Sequence, residues 1–413
     1  MDLAIMGYGV VGSGVAQLLA KNYESIVAHS MQSSLRLKYI LDLRDFPGDP
    51  FGHLVTHDFN AILEDPAVGI VAETMGGLHP AFEFVRACLQ AGKSVVTSNK
   101  ELVACMGCEL LQVAKEHNVN FLFEASVGGG IPIIRPLSQC LAANTISEVA
   151  GILNGTTNFI LTRMIEDAMP FADALRVAQE NGYAEKDPTA DIEGYDACRK
   201  ICILAALAFG QHVAPSQVRT QGISALGQED MAYAESFGCA VKLLGCAKRL
   251  PDGRITATVA PALVPHSSLL SGVGDVYNAI LVRGDAIGDV IFYGRGAGKL
   301  PTASAVVADI IDCGKHVQKR KFIGWEAGRA DFVAPAEEDC ARFYVRGHSA
   351  AKENALQAAL LQAFPGAKQL RRAAAPSGEI AFVTPVRRER DVCAAIARLP
   401  GLRPDSILRV AEL

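Results

Sequence analysis

Gly7-Tyr8-Gly9-Val10-Val11-Gly12 follows a short apolar run at 3–6 and opens an apolar helical stretch at 10–19. Three glycines at this spacing, between a buried strand and a helix, leave few folds open. The first allows a tight turn, the second lets backbone approach an anion, and the third lets helix and strand pack closely. The helix N-terminus then presents unbonded N–H groups to a phosphate. A glycine-rich turn without a ligand is the bland alternative. The flanking strand and helix favour a dinucleotide.

The first third of the chain continues this alternation. Strands are predicted at 35–41, 67–74, 93–98 and 119–126, with a helix between the third and fourth that ends before Gly92. Such alternation implies an α/β fold: a Rossmann-type, doubly wound parallel sheet with helices on both faces. From 146 the pattern changes to α+β. A strand runs through a turn into a helix at 146–164, helices follow at 171–181 and 195–209, and later strands are GRITATVAPALV, YNAILVRG and GDVIFYG. A helix at 300–313 returns to the earlier pattern. Residues 341–413 read strand, helix, strand, strand, helix, strand, a ferredoxin-like order. The expected domains are 1–130 with a returning helix at about 300–320, then 131–300, then 338–413.

The 413 residues exceed one core, and the net charge of -5 gives no reason to expect nucleic acid as a partner. The eleven cysteines are scattered and odd in number, the pattern of reduced thiols in a cytoplasmic protein. Cys105-Met-Gly-Cys108 has no second pair or histidine beside it, so it is read as part of a helix. The apolar stretch 201–210 is about half of what spans a bilayer. No membrane or targeting role is expected.

Several stretches carry chemistry. The second strand ends at Asp42-Leu-Arg44-Asp45. An acid there takes a ribose 2′-hydroxyl and an arginine a 2′-phosphate, so NAD and NADP both stay open. Thr74-Met-Gly76-Gly77 and Thr97-Ser-Asn-Lys100 end the third and fourth strands, where an open parallel sheet binds its ligands. Ala125-Ser-Val-Gly-Gly-Gly-Ile-Pro132 is a glycine-rich turn that suits a phosphate, a cation or nothing. The 182–200 region is dense in carboxylates: Glu185, Asp187, Asp191, Glu193 and Asp196. Asp196 and Lys200 are four apart on one helix face. By spacing alone this is a surface ion pair. The apolar run that follows Lys200 instead takes this helix into a core, where a desolvated lysine beside a carboxylate suits general acid–base work.

GYGVVG, ETMGG, TSNK, EASVGGGIPII, GILNGTTNFIL, GYAEKDPTADIEGYDACRKICILA and GRGAGKLPTASAVVAD stand in the order seen in homoserine dehydrogenases. The chain resembles that family over roughly residues 1–320. The resemblance implies an NAD(P)-dependent oxidoreductase interconverting homoserine and aspartate 4-semialdehyde, in threonine and methionine biosynthesis. It implies Lys200 as proton donor and acceptor, with Lys100 and Asp196 beside it. Glu185, Asp191, Asp196, Gly155 and Thr156 match substrate-contacting positions. Gly7, Gly9, Val10, Val11, Gly12, Arg44, Thr74, Gly76, Lys100, Gly182, Gly296 and Gly298 match cofactor-contacting ones. Glu124, Val127, Gly129 and Ile131 match main-chain carbonyls that hold a monovalent cation, usually sodium. The resemblance further implies that 131–300 binds substrate and dimerises, in a homodimer or homotetramer.

Bacterial members often end in a regulatory ACT domain with a D-x-P-G-V-L-like turn. Here the place reads Gly347-His-Ser-Ala-Ala-Lys-Glu-Asn-Ala-Leu356, without that proline and glycine. An ACT-like domain that supports assembly more than feedback is the resulting expectation.

Overall fold

The computed structural model describes residues 1–317 and 319–413. The chain forms two compact units. One comprises Met1–Ile146, Cys202–Pro215 and Gly284–Arg329, the other Ser147–Ile201, Ser216–Arg283 and Ala330–Leu413. Among the described residues, no helix is long and apolar enough to cross a membrane.

The first unit is built on six parallel strands: β1 Asp2–Met6, β2 Arg36–Leu41, β3 Val55–Thr56, β4 Val68–Glu73, β5 Ser94–Thr97 and β6 Phe121–Leu122. Their order is β3-β2-β1-β4-β5-β6. All of β1 is buried, as a parallel strand covered on both faces should be. Its Leu3 and Ile5 share a core with Val15, Ala16 and Leu19 of the helix Val10–Lys21 and with Ala303, Val306 and Ile310 of the helix Lys299–Lys315.

Two strands differ from the sequence reading. β3 is two residues long, too short to leave a periodic signal. The strand expected over 119–126 is confined to Phe121–Leu122, and Glu124–Ser126 is a 3₁₀ turn. The Glu124 N–H donates to Asp309 Oδ2 at 2.8 Å instead of to a ladder. A side chain 185 residues away thus ends this strand, and no local pattern could reveal that.

In the second unit, strands Tyr277–Gly284, Ile146–Ile152, Cys239–Arg249, Ile255–Pro265, Leu402–Val410, Cys340–Ser349, Glu379–Val383 and Lys368–Leu370 follow one another across a sheet. Cys239–Arg249 was not singled out from the sequence. It pairs with Ile255–Pro265 along the whole length of both, from Cys239↔Pro265 to Arg249↔Ile255. Gly253, at φ +84°, turns the chain between them, a conformation glycine adopts freely.

The C-terminal strands have the spatial order fourth, first, third, second, with every neighbour antiparallel. This is the ferredoxin-like arrangement. Helices Glu353–Ala363 and Glu389–Ile396 supply Leu356, Leu360, Val392 and Ile396 to its core, against Phe343, Val345 and Phe382. The segment does not stand apart from the rest of the unit. Leu402–Val410 pairs in parallel with Ile255–Pro265 through Ala262↔Arg409 and Leu263↔Val410. Asp230, on the helix Gln228–Ser236, is fully buried and accepts from Arg346 Nε at 2.8 Å and from the Tyr344 hydroxyl at 3.0 Å.

Removing one partner of a buried ion pair leaves an uncompensated charge. Arg346→Met is therefore expected to destabilise the second unit by about 3–5 kcal/mol. Urea unfolding would show this as a lowered midpoint, and adding Asp230→Asn should recover much of the loss. A midpoint unchanged in the single variant would mean that the pair contributes nothing.

Candidate active site

In the first unit, the order in which strands are added reverses at β1, which has β2 on one side and β4 on the other. The loops after the strands' carboxyl ends line a ligand crevice there. Gly7 has φ +92°, and a Cβ on it would stand 2.8 Å from the Met75 backbone. A Cβ on Gly12 would stand 2.0 Å from the Gly7 carbonyl oxygen, so this glycine allows the helix to start against the strand. A Cβ on Gly9 would meet nothing within 4 Å. The space over Gly9 lies open at the N-terminus of Val10–Lys21, where a pyrophosphate cradle would stand. Val10 is exposed beside it, Val11 is half-buried, and the Thr74 hydroxyl donates to the Gly7 carbonyl at 2.7 Å. Gly76, at φ +79°, also has open space around it. Lys100 begins the helix Lys100–Glu116, which Asn99 caps by accepting from the Leu102 N–H at 3.0 Å.

The ends of β4 and β5 are held by a residue the sequence reading passed over. Glu73 is wholly buried. Its carboxylate accepts from the Met75 N–H at 2.8 Å and the Thr97 hydroxyl at 2.5 Å. A lone glutamate closing an apolar strand was the available signal.

Past β2, Asp42 accepts from the Tyr8 N–H at 2.7 Å and the Arg44 N–H at 3.0 Å. It also accepts from Arg44 Nε at 3.0 Å and Nη2 at 3.1 Å. The Arg44 guanidinium holds this carboxyl down to about 2. The acid and the arginine between which the sequence could not choose are thus paired with each other, with Arg44 mostly exposed.

The glycine turn after β6 lies in the same unit. The Glu124 carboxylate accepts from three successive backbone N–H groups, Ile133 at 2.6 Å, Ile134 at 2.8 Å and Arg135 at 2.9 Å. Arg135 in turn pairs with Asp309, whose carboxyl is pushed up to about 7 by burial against the pull of that arginine. The carbonyls of Val127, Gly129 and Ile131 belong to buried residues and accept no backbone or side-chain hydrogen bond among the described residues. Gly129, at φ +56°, packs so closely on the glycine turn at 294–298 that a Cβ would stand 2.3 Å from the Gly296 carbonyl oxygen. Gly296 is buried in that contact, whereas Gly298 is exposed at the start of the helix Lys299–Lys315.

In the second unit, Asp196 and Lys200 lie on the helix Tyr195–Phe209 and are both buried, with side chains 5% and 8% exposed. The surface reading of this pair is thereby corrected: the apolar residues around the helix carry it into the core. Lys200 Nζ donates to Asp196 Oδ2 at 2.8 Å and to the Leu153 carbonyl at 2.7 Å. Asn154 joins them. Its Oδ1 caps the helix Gly155–Glu166 by accepting from the Thr157 N–H at 2.8 Å. Its Nδ2 donates to Asp191 Oδ1 at 2.7 Å and Asp196 Oδ2 at 2.9 Å. Gly155 is needed there because a Cβ would stand 2.7 Å from the Val276 carbonyl oxygen.

The Thr156 hydroxyl donates to the Tyr183 carbonyl at 2.7 Å, fixing the loop that carries Gly182 and Glu185. Both of these are exposed, and Gly182 has φ +71°. Asp191, Asp196, Lys200, Gly155 and Thr156 are thus brought together, while Glu185 stays on the loop. Asn154, the residue before a predicted helix, was the clue left unused. A second buried lysine, Lys242, donates to the Val273 carbonyl at 2.6 Å, and burial pulls its ammonium down to about 8. A buried ammonium held by one carboxylate and one carbonyl can stabilise an oxyanion and pass it a proton.

The chain matches the family model described as homoserine dehydrogenase, NAD binding domain, over residues 7–124, and the model described as homoserine dehydrogenase over 132–311. It is 41% identical to a homoserine dehydrogenase of Neisseria gonorrhoeae over 84% of this chain and 81% of that one. It is 40% identical to a homoserine dehydrogenase of Bacillus subtilis over 76% and 73% of the two chains. The crystal structure of a homoserine dehydrogenase from Thiobacillus denitrificans superposes with a TM-score of 0.88 at 36% identity, covering 100% of this chain and 98% of that one. A hyperthermophilic archaeal homoserine dehydrogenase mutant in complex with NADPH superposes with a TM-score of 0.64 at 29% identity, over 76% and 97%. With both family models matched in order, and with relatives about 40% identical over most of both chains, the chain belongs to the homoserine dehydrogenase family of NAD(P)-dependent oxidoreductases.

Proposed function

We propose that Lys200 is the general acid and base in the interconversion of homoserine and aspartate 4-semialdehyde, the reaction of this family. The observation that carries this reading is the burial of its ammonium against Asp196 Oδ2 and the Leu153 carbonyl. When bound, the dinucleotide supplies hydride to the semialdehyde and takes it back from homoserine. Lys200 stabilises the negative charge that grows on the carbonyl oxygen and gives that oxygen a proton. In the reverse direction the neutral amine removes the proton from the hydroxyl. Asp196 holds the lysine's direction. Asn154 holds Asp196, because its Nδ2 reaches both Asp196 and Asp191. Glu185, Asp191, Gly155 and Thr156 are assigned to the substrate, with Glu185 on its amino group. Lys100 is assigned to the substrate carboxylate and the nicotinamide.

Gly7, Gly9, Val10, Val11, Gly12, Thr74 and Gly76 would hold the dinucleotide, with Gly182, Gly296 and Gly298 as further contacts. The space over Gly9 is the supporting observation. Arg44 is assigned to the 2′-phosphate of NADP. The carbonyls of Glu124, Val127, Gly129 and Ile131 are assigned to sodium, supported by the lack of donors on the last three. The proposal also includes a cytoplasmic homodimer or homotetramer, carried by the family resemblance alone.

Lys200→Met should lower turnover at least ~100-fold with dinucleotide affinity nearly unchanged. Lys200→Arg should not restore it, because arginine keeps its proton at working pH. Glu185→Gln should raise the Michaelis constant for homoserine more than it lowers turnover. Turnover of Lys200→Met within a few-fold of the parent across the pH range would make this lysine a structural ion-pair residue.

Gly9→Val should leave the protein folded, because its Cβ meets nothing within 4 Å, yet weaken dinucleotide binding more than about tenfold. Gly12→Val should instead disrupt the first unit. Arg44→Ala should weaken NADP more than NAD in fluorescence titrations. An equal effect on both cofactors would remove the 2′-phosphate assignment.

Crystals grown in abundant sodium should show an ion within about 2.3–2.6 Å of the turn's carbonyl oxygens, the range of hard-cation contacts. Well-ordered density with only water there would overturn the cation assignment.

A further inference from the structure

Glu73 is a buried carboxylate that the proton-transfer scheme does not use. It closes β4 on the crevice side of the sheet, and no part of it reaches solvent. Oε1 accepts from the Met75 N–H at 2.8 Å and faces the Gly76 N–H at 3.4 Å. Oε2 accepts from the Thr97 hydroxyl at 2.5 Å. Thr97 accepts from the Asn99 N–H at 2.9 Å, and Asn99 Nδ2 donates to the Gly77 carbonyl at 2.6 Å. One carboxylate therefore closes a ring of hydrogen bonds through both loops, after β4 and after β5. Gly76 and Gly77, at φ +79° and +72°, have almost nothing packed around them, and Lys100 follows at once in the second loop.

Two consecutive left-handed glycines on an exposed turn have no side chains to hold them in place. Fixing such a turn in advance lowers the ordering cost of binding. Burial pushes the Glu73 carboxyl upward, and its donors oppose that shift. A buried acid at this position is costly to the fold unless it is fully met by donors. Its cost to the fold and its bonds to two ligand loops together indicate a service to the ligand.

We propose that Glu73 is a positioning residue for the dinucleotide, holding the Thr74–Gly77 turn and the Thr97–Lys100 turn in binding register before the cofactor arrives. The inference rests on the cradle reading given above. Glu73 touches no substrate atom in this account and acts through Met75, Gly76, Thr97 and Asn99.

The test is dinucleotide affinity, measured by fluorescence titration with NADPH and with NADH in the absence of homoserine, alongside steady-state kinetics and thermal unfolding. Glu73→Ala should weaken both dinucleotides at least ~10-fold, the loss of about one charged hydrogen bond's free energy. Its Michaelis constant for homoserine at saturating dinucleotide should rise less than its dinucleotide dissociation constant, because Lys100 alone in the two held turns is assigned to the substrate. Glu73→Gln keeps an acceptor for the Met75 N–H and offers Thr97 a donor, so it should restore affinity to within ~3-fold. If Glu73→Ala does not fold, Thr97→Val keeps the volume and should weaken the dinucleotide ~3- to 10-fold in a folded protein. Dinucleotide affinity within twofold of the parent in folded Glu73→Ala or Thr97→Val would overturn the proposal. So would an equal loss in the alanine and glutamine variants, which would deny the role of the hydrogen bonds. Gly9→Val separates the two levels of the argument. If it leaves affinity intact, the cradle reading itself fails; if it weakens binding while folded Glu73→Ala does not, only the role of Glu73 fails.

Discussion

A charge taken out of water must be met by hydrogen bonds or an opposite charge, or the fold does not tolerate it. Lys200 is met by Asp196 and the Leu153 carbonyl, and Asp230 by Arg346 and Tyr344. Glu124 is met by three successive N–H groups, and Glu73 by the ends of two loops. Each of these groups dictates where a second stretch of chain must run. Leu153 must place its carbonyl beside Lys200, so the strand Ile146–Ile152 must end where it does. Ile133 to Arg135 must wrap Glu124, so the glycine turn between them is forced to be tight.

Backbone proximity is the complementary constraint. Gly7 against Met75, Gly12 against Gly7, Gly129 against Gly296 and Gly155 against Val276 all bring main chain closer than any Cβ allows. Gly9 differs from these four, since among the described residues nothing lies within 4 Å of where its Cβ would stand. Within a single glycine motif, two glycines serve packing and one leaves a volume open. This division separates the part of the motif that builds the fold from the part to which the proposed ligand role falls.

The second unit shows what burial adds to an ion pair. On a helix surface, Asp196 and Lys200 would contribute a few tenths of a kcal/mol and no chemistry. Inside the unit, the carboxylate is shared between Lys200 and Asn154, and Asn154 is itself fixed by its role as helix cap. The lysine's direction is thereby tied to the start of a second helix. A proton donor held in this way loses little freedom on reaching its reacting geometry.

The parallel strands, their helices and the glycine cradle are legible in the sequence because each is a local pattern: a buried strand, a turn that needs glycine, a helix of period 3.6. The family motifs likewise point to Lys200, Asp196 and the acidic loop before any coordinates exist. What the tertiary structure decided is non-local. The early end of β6 depends on Asp309, and the roles of Glu73 and Asn154 depend on loops that meet only in the folded chain. The strand Cys239–Arg249 has no flanking signal strong enough to mark it before its partner is known. The joining of the C-terminal strands to Ile255–Pro265 rests on a parallel pairing across more than a hundred residues. Propensity and periodicity act over a single turn or strand, whereas hydrogen-bond satisfaction of buried groups is settled only when distant segments are brought together.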